Sequence, residues 1–326
     1  MSKKPKVGMW SGLTAVTAVL TAGAIVGTTV AFHYTTTVNN YLDADTYKII
    51  KGDSDEDTEY FKSDFTSDEE RESYEAELCA QVEAEGAALL KNDNNALPLA
   101  SGAKVSLFGH GSVDLMYGGT GSGSVDTSKA PNFKQALEDQ GIQINSTLWD
   151  LYSSDDMMKN YSRITPAAIS DTLEANTQYA VNEAPWSKLS SAESSFADYG
   201  DAAIVVFSRS GGEGADLPSG ENGTNDSWIK GQEGDGNYLA LSAEEKELLQ
   251  NLKTLKDNGT FKKIIVLINS SNAIEMDFLN PEICGEDYGI DSAMWIGDVG
   301  QTGINGVAQL LSGAVTPSGS LVDTYL

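Results

Sequence analysis

One glutamate, Glu213, stands among three glycines in the stretch SRSGGEGADL, residues 208–217, directly after the apolar run AAIVVF. Glycine permits sharp backbone turns, so this loop can present a single carboxylate at the rim of a sheet. A carboxyl group placed in this way can serve as a general acid or a general base. Arg209 and Asp216 are near enough in sequence to orient the loop, to tune Glu213, or to form a salt bridge with each other. The alternative is a solvated loop glutamate, since glutamate side chains are mostly exposed.

A second glycine-rich loop, GHGSVDLMYGGTGSGSVD over residues 109–126, follows the apolar run KVSLF. Its glycines leave backbone amides accessible to a ligand bound close by. A dinucleotide-binding loop is one hypothesis, but Gly109 and Gly111 are not followed by a third glycine at the required place, and no helix is predicted directly after them. A flexible surface loop is another, because glycine often serves only turns.

Other chemistries find little support in the composition. The 48 acidic and 21 basic residues give a formal net charge of -27, which would repel phosphate backbones, so nucleic acid is not an expected partner. Cys79 and Cys284 lack ligand partners at metal-binding spacing, so we expect no metal site and no disulfide framework. A Ser/His/Asp hydrolase would have to use His110, and no G-x-S-x-G elbow accompanies that histidine.

Short apolar runs rich in β-branched residues are typical of strands that are buried on both faces. Helical patterns lie between these runs, including one that starts near Ser73 and is expected to end near Lys91, and one that opens with a capping box of Ser242 and Glu245. This alternation predicts an α/β fold, a mostly parallel sheet with helices on both faces. The predicted strands are KVSLFG (104–109), AAIVVF (202–207), KIIVLI (263–268) and the weaker SAMWIG (292–297).

The N-terminus has a different character. Residues 7–32 carry no charge, and their number meets the roughly 20 residues that a membrane helix needs. Lysines precede the run and acidic residues follow it, so the N-terminus is expected in the cytoplasm and the remainder outside the cell. A cleaved signal peptide is the alternative, although the apolar run exceeds the roughly 7–15 residues of a signal core. We therefore expect a cytoplasmic tip and transmembrane anchor at 1–34, an acidic stalk at 35–74 and an α/β domain at 75–326.

Several separate segments of this domain resemble one family, in the family's own order. The stretch SRSGGEGADL is similar to the loop that carries the family's general acid/base, and GGTGSGSV (118–125) is similar to its glycine loop. The family is the family-three glycoside hydrolases, the β-glucosidase family, and the match is to their C-terminal, non-barrel α/β sandwich domain. The further matching segments are EGAALLKNDNNALPL (85–99), YLALSAEEKELL (238–249), VLINSSNAIEMDFL (266–279), WIGDVGQTGINGVAQLLSG (295–313) and TPSGSLVDTY (316–325).

The resemblance implies a role for each candidate residue. It implies that Glu213 is the general acid/base of a retaining enzyme that hydrolyses terminal O-glycosidic bonds without a cofactor. Asp216 and Arg209 would then assist in substrate binding or orient the loop. The glycine loop would shape the wall of the cleft and approach sugar hydroxyls. Its expected substrate-binding residues are Gly118, Gly119, Gly121 and Ser122.

The family's nucleophile is an aspartate on a separate TIM-type barrel, and no barrel-length α/β stretch occurs in this sequence. The motif Ser63-Asp64-Phe65 lies in the acidic stalk with no strand before it, so it is rejected as the nucleophile. The resemblance therefore implies a reversed-order, membrane-anchored protein of which this chain is a fragment, with the barrel downstream or supplied in trans. The alternative is a non-catalytic surface domain that binds a saccharide or a partner, and a nucleotide-binding domain is a third hypothesis.

Overall fold

The computed structural model contains two compact units, Met1–Asp64 and Phe65–Leu326. The first unit holds helices α1 (Val7–His33) and α2 (Thr35–Tyr41), and the segment Trp10–His33 is long and apolar enough to cross a membrane. Threonine hydroxyls of α1 donate back to carbonyls one turn earlier, for example Thr14 to Trp10 at 2.9 Å, so they need no water. These properties suit a membrane anchor or a signal sequence. The structure describes residues 7–42, 61–164, 179–213, 217 and 237–325.

The second unit is built on one six-stranded sheet. Its strands are β1 (Ala88–Asn92), β2 (Lys104–Phe108), β3 (Gln143–Ile144), β4 (Ala202–Arg209), β5 (Ile264–Ser270) and β6 (Ser292–Trp295). Their order in the sheet is β1-β6-β5-β4-β2-β3. The neighbours from β6 to β3 are parallel, and β1 pairs with β6 in the antiparallel direction. The four strands predicted from apolar runs are present as β2, β4, β5 and β6, so the mostly parallel α/β fold is confirmed.

Side chains of each central strand alternate between two hydrophobic cores, one on each face of the sheet. Ile204 and Val206 of β4 belong to one core, whereas Val205 and Phe207 belong to the other. Helices α3 (Asp68–Gly86), α4 (Phe133–Asp139) and α9 (Ile304–Ser312) contribute to the first core. Helices on both faces are thus confirmed. The second core receives α5 (Ser146–Tyr152), α6 (Asp155–Tyr161) and α7 (Ala243–Asp257), and the short α8 (Pro281–Cys284) lies beside it.

The helix expected to end near Lys91 ends earlier, and this prediction was wrong. Helix α3 stops at Gly86, and the chain becomes extended at Ala87. The leucines that suggested a helical face instead lie on β1, where Leu89 packs against one core and Leu90 against the other. Only a strand sends successive side chains to opposite faces, so pairing with β6 overrides the helical pattern.

Helices α3 and α9 lie in very close contact because Gly306 has no side chain. A Cβ atom at Gly306 would overlap the carbonyl oxygen of Ala80 and lie 3.1 Å from the backbone nitrogen of Ala84. Both neighbours are backbone atoms of α3, so the overlap could be relieved only if one helix moved away from the other.

We therefore expect Gly306→Ala to lower the free energy of unfolding by about 1–3 kcal/mol, although alanine favours helix more than glycine does. The matched control is Gly86→Ala at the end of α3, where a Cβ meets nothing within 4 Å. That variant should be as stable as the parent or slightly more so. Urea unfolding of both variants measures this, and equal midpoints for Gly306→Ala and the parent would contradict the account.

Two carboxyl groups lie close to each other beside the α3–α9 contact. Burial, together with the nearby Asp298, raises the pKa of Glu83 from 4.5 to about 8. Burial also raises the pKa of Asp298. Among the described residues, Glu83 Oε1 and Asp298 Oδ1 have no hydrogen-bond partner. The fold therefore favours the protonated form of Glu83.

The pKa of Glu83 is higher in the folded protein than its ordinary value, so the folded state holds this proton more tightly than the unfolded state. The stability that the protonated carboxyl contributes is therefore fully present below pH 4.5 and is lost as the pH rises to about 8. The melting temperature of the parent should therefore fall over this pH range, and Glu83→Gln should reduce that fall because glutamine does not titrate. Glu85→Gln, on the exposed side of the same helix, should leave it in place. Melting curves over this pH range test the prediction, which fails if both variants keep the parent's full pH dependence.

Candidate active site

The two glycine-rich loops of the sequence follow β2 and β4, which are parallel neighbours in the sheet. Their carboxyl ends lie at the same edge, where ligands bind in sheets of this kind. The loops are hydrogen-bonded to each other: Thr120 donates its N–H to Gly211 at 3.0 Å and its hydroxyl to the carbonyl of Glu213 at 2.7 Å. Thr120 and Gly212 form a short parallel bridge. The structure thus brings both candidate loops together at one place.

Two glycines make this approach possible. Gly212 has φ +135°, and a Cβ there would lie 2.6 Å from the backbone nitrogen of Thr120. Gly121 has φ +74°, and a Cβ there would overlap the carboxylate of Glu213. Larger residues at either position would therefore be strained and would also separate the loops.

Glu213 is exposed at the rim, and Ser122 binds both of its carboxylate oxygens. The Ser122 N–H donates to Oε2 at 3.0 Å, and the Ser122 hydroxyl donates to Oε1 at 2.9 Å. These bonds, the backbone bond first, lower the pKa of Glu213 below its ordinary value. A carboxyl group held in this way is ionised at neutral pH and can accept a proton, but it has no proton ready to donate.

Arg209 lies at the end of β4, fully buried, and forms an ion pair with Glu245 through two bonds of 2.8 and 2.7 Å. Its remaining N–H groups donate to the carbonyls of Ser208, Tyr238 and Ala240. All five donors of the guanidinium are thus engaged, and a sugar hydroxyl would have to displace an internal acceptor.

Glu245 also completes the predicted capping box with Ser242, which is confirmed. Asp216, the other predicted neighbour of Glu213, lies outside the described residues.

Two buried tyrosines support the loops, and sequence reasoning missed both. The hydroxyl of Tyr238 accepts from the N–H of Ser210 at 2.7 Å and donates to its carbonyl at 3.0 Å. The hydroxyl of Tyr179 lies 3.2 Å from Thr120 Oγ1, and the two rings pack 5.8 Å apart. Their only sequence signal is aromatic character, which is equally typical of core residues.

A cavity of about 360 Å³ opens beside the glycine loop. Arg163, which sequence reasoning also missed, reaches it from the segment after α6, where nothing in the local sequence distinguishes it. The Arg163 guanidinium bonds Asp114 Oδ1 at 3.0 Å and the carbonyl of Leu115 at 3.1 Å, and it also bonds the carbonyl of Asp114. The cavity is lined by Met116, Gly118, Gly119, Thr120, Gly121, Ser124, Arg163 and Ser210.

His110 is buried against Glu183, with 2.8 Å between Nδ1 and Oε2. Its Nε2 atom, which a serine nucleophile would have to contact, has no hydrogen-bond partner among the described residues. Within the same part of the chain no group of three or more His, Cys, Asp or Glu side chains could hold a metal ion. The geometry therefore favours a site based on Glu213.

Ser122→Ala should raise the pKa of Glu213 toward its ordinary value, because the variant removes the hydroxyl bond and keeps only the N–H bond. The control is Ser124→Ala, which changes a hydroxyl in the same loop that does not bond Glu213. Carbon NMR titration of the Glu213 carboxyl measures both. An unchanged pKa in Ser122→Ala would show that the serine does not hold the carboxylate.

Comparison with known proteins identifies the family of the α/β domain. Residues 87–325 match the model of the glycosyl hydrolase family 3 C-terminal domain. A beta-glucosidase of Ruminococcus albus is 31% identical over 251 residues, which are 76% of this chain and 22% of that protein. Beta-glucosidase A of Butyrivibrio fibrisolvens is 30% identical over 266 residues, covering 76% of this chain and 28% of the relative.

Solved structures give the same result. A beta-glucosidase from Paenibacillus barengoltzii matches with TM-score 0.58 and 29% identity over 76% of this chain and 24% of that one. Beta-glucosidase 3B from Thermotoga neapolitana, in complex with glucose, matches with TM-score 0.58 and 26% identity over 78% of this chain and 31% of that one. The chain thus spans between a fifth and a third of the length of these relatives. The chain belongs to the glycosyl hydrolase family 3 C-terminal domain family.

Proposed function

We propose that this chain supplies the general acid/base of a retaining, β-glucosidase-type glycoside hydrolase, and that Glu213 is that residue. The observation that carries the proposal is the convergence of Glu213 and the glycine loop at the carboxyl edge of the sheet. Membership of the family and relatives that are beta-glucosidases support it.

In the proposed reaction, Glu213 protonates the glycosidic oxygen as the bond to the sugar breaks. It then takes a proton from the water that releases the sugar from the nucleophile. In a retaining enzyme the nucleophilic carboxylate lies about 5–5.5 Å from the acid/base, and we assign it to a barrel domain downstream or in trans.

The lowered pKa of Glu213 requires a change of surroundings before it can donate a proton. A barrel placed over the exposed carboxylate would exclude water and bring a second negative charge near it. Both effects raise the pKa of a carboxyl group. The site is therefore completed only by the partner domain, and this chain alone holds the ionised form.

The remaining predicted residues take supporting roles in this proposal. Gly118, Gly119, Gly121 and Ser122 form the cleft wall, and Ser122 orients the Glu213 carboxylate. Arg209 holds the end of β4 through its buried pair with Glu245 and acts on Glu213 through the backbone. Asp216 remains a candidate for orienting the loop.

We also propose that α1 is an uncleaved signal anchor in the cell membrane. Its length and its apolar composition support this, as do the lysines that precede it. The α/β domain would then lie outside the cell, in contact with oligosaccharide or glycoside substrates.

In the natural full-length protein, Glu213→Gln should slow hydrolysis by about 10²–10⁴-fold for glycosides with poor leaving groups. The loss should be far smaller for leaving groups that need no proton, and azide, which needs no base, should restore turnover of those substrates. Steady-state kinetics with both substrate types tests this. The exposed Glu193→Gln serves as the control carboxylate.

Equal losses on both substrate types would contradict the acid/base assignment. Absence of hydrolysis by every form of the natural protein, with saccharide binding that does not depend on Glu213, would instead support the non-catalytic binding domain.

A further inference from the structure

The amide of Asn269 is a buried polar group at the end of an apolar strand. Strand β5 has five apolar residues in succession, Ile264 to Ile268, and Asn269 follows them fully buried. Burying an amide costs free energy unless its polar atoms are hydrogen-bonded, whereas another apolar residue would extend the core without that cost. The asparagine therefore serves something other than the packing of the core.

The side chain of Asn269 bonds three separate segments of the chain. Its Oδ1 atom accepts from the N–H of Met116 at 2.6 Å and from the hydroxyl of Ser208 at 3.0 Å. Its Nδ2 atom donates to the carbonyls of Met116 at 3.0 Å and of Gly297 at 2.7 Å. These four bonds use both donors and both acceptor positions of the amide. An aspartate would lack the donors, and a leucine would lack donors and acceptor alike.

Two of these partners stand at the start of the loops that meet at the candidate site. Met116 lies two residues before Gly118 of the glycine loop. Ser208 is the register partner of Asn269 in the parallel pair of β4 and β5, and it lies five residues before Glu213. The amide therefore holds both loops at one point of the sheet.

The third partner, Gly297, belongs to the loop after β6. In this loop the N–H of Val299 donates to the carbonyl of Met116 at 3.1 Å. Asn269 lies between this loop and the glycine loop and donates to a carbonyl of each. Loss of the amide would remove these bonds from buried groups of Met116 and Gly297, so the loops would have to shift to replace them.

We propose that Asn269 is a positioning residue for the glycosidase reaction, and that it sets the position of Glu213 by holding the starts of both loops. The inference rests on the proposed function, since it takes Glu213 as the acid/base. Asn269 is fully buried, so it acts through the backbone of the loops and not by contact with a substrate. A displacement of about 1 Å at a catalytic site can cost about 10²-fold in rate, so the effect of positioning is large enough to measure.

The first experiment measures amide hydrogen exchange by NMR on the full chain in detergent micelles. Asn269→Leu keeps the approximate volume of the side chain and removes all four bonds. The N–H groups of Thr120 and Ser122, which bond the opposite loop, should then exchange about tenfold faster or more, because the loops separate more often. Asn145→Leu is the matched control, since Asn145 is also a buried amide and bonds neither loop. Its exchange rates at these two positions should equal those of the parent.

Since Asn269→Leu also removes buried hydrogen bonds from the core, Asn269→Asp is measured beside it. Aspartate has the shape of asparagine and lacks the two Nδ2 donors. Circular dichroism identifies the variants that keep the fold of the parent. Parental exchange at Thr120 and Ser122 in a folded Asn269 variant, or an equal increase in Asn145→Leu, would overturn the proposal.

The second experiment measures kcat/KM in the natural full-length protein, because kcat/KM reports the steps up to cleavage of the glycosidic bond. The Asn269 variants should lower kcat/KM about tenfold or more for glycosides with poor leaving groups, whose oxygen needs a proton from Glu213. For leaving groups that need no proton, the loss should be less than about twofold. A residue that only stabilises the fold would lower both values equally.

The two experiments separate this inference from the proposed function. If Glu213→Gln shows the dependence on the leaving group and the Asn269 variants lower both values equally, the acid/base assignment stands and the positioning assignment falls. If hydrogen exchange follows the prediction and Glu213→Gln shows no such dependence, Asn269 still holds the loops and the acid/base assignment falls.

Discussion

The position of Glu213 depends on a direct backbone contact between two loops that leave neighbouring strands. Thr120 is central to that contact, because its N–H, its carbonyl and its hydroxyl all bond the Gly211–Glu213 segment. The contact requires glycine at 121 and 212, since a Cβ at either position would collide with the opposite loop. The composition of both loops thus follows from one constraint, the close approach that brings Ser122 to the carboxylate.

A buried ion pair between Arg209 and Glu245 holds the end of β4, from which the Glu213 loop starts. Burying Arg209 and Glu245 costs desolvation energy, and two direct bonds together with the carbonyls around the guanidinium offset that cost. Glu245 is also the third residue of α7 and bonds the N–H of Ser242, so one carboxylate fixes both the strand end and the helix start. The segment that leads from Arg209 to Glu213 therefore starts from a fixed point.

The sequence predicted those features that depend on residues close together in the chain. Continuous apolar runs predicted the four central strands, and the spacing of Ser242 and Glu245 predicted the start of α7. The prediction failed at β1, since only the presence of β6 turns Leu89 and Leu90 into strand residues. For the site, the glycine pattern singled out both loops, whereas Arg163 and Tyr179 reach them through tertiary contacts that no spacing reveals. The burial of Arg209 could not be predicted from the sequence either, because its partner Glu245 lies in a different element.

The central claim is that Glu213 must donate a proton, although its surroundings in this domain lower its pKa. The pH dependence of kcat/KM in the natural full-length protein, for a glycoside with a poor leaving group, tests the claim most directly. The account predicts an alkaline limb with an apparent pKa above the ordinary glutamate value of 4.5, and its disappearance in Glu213→Gln. The same alkaline limb in both proteins would contradict it.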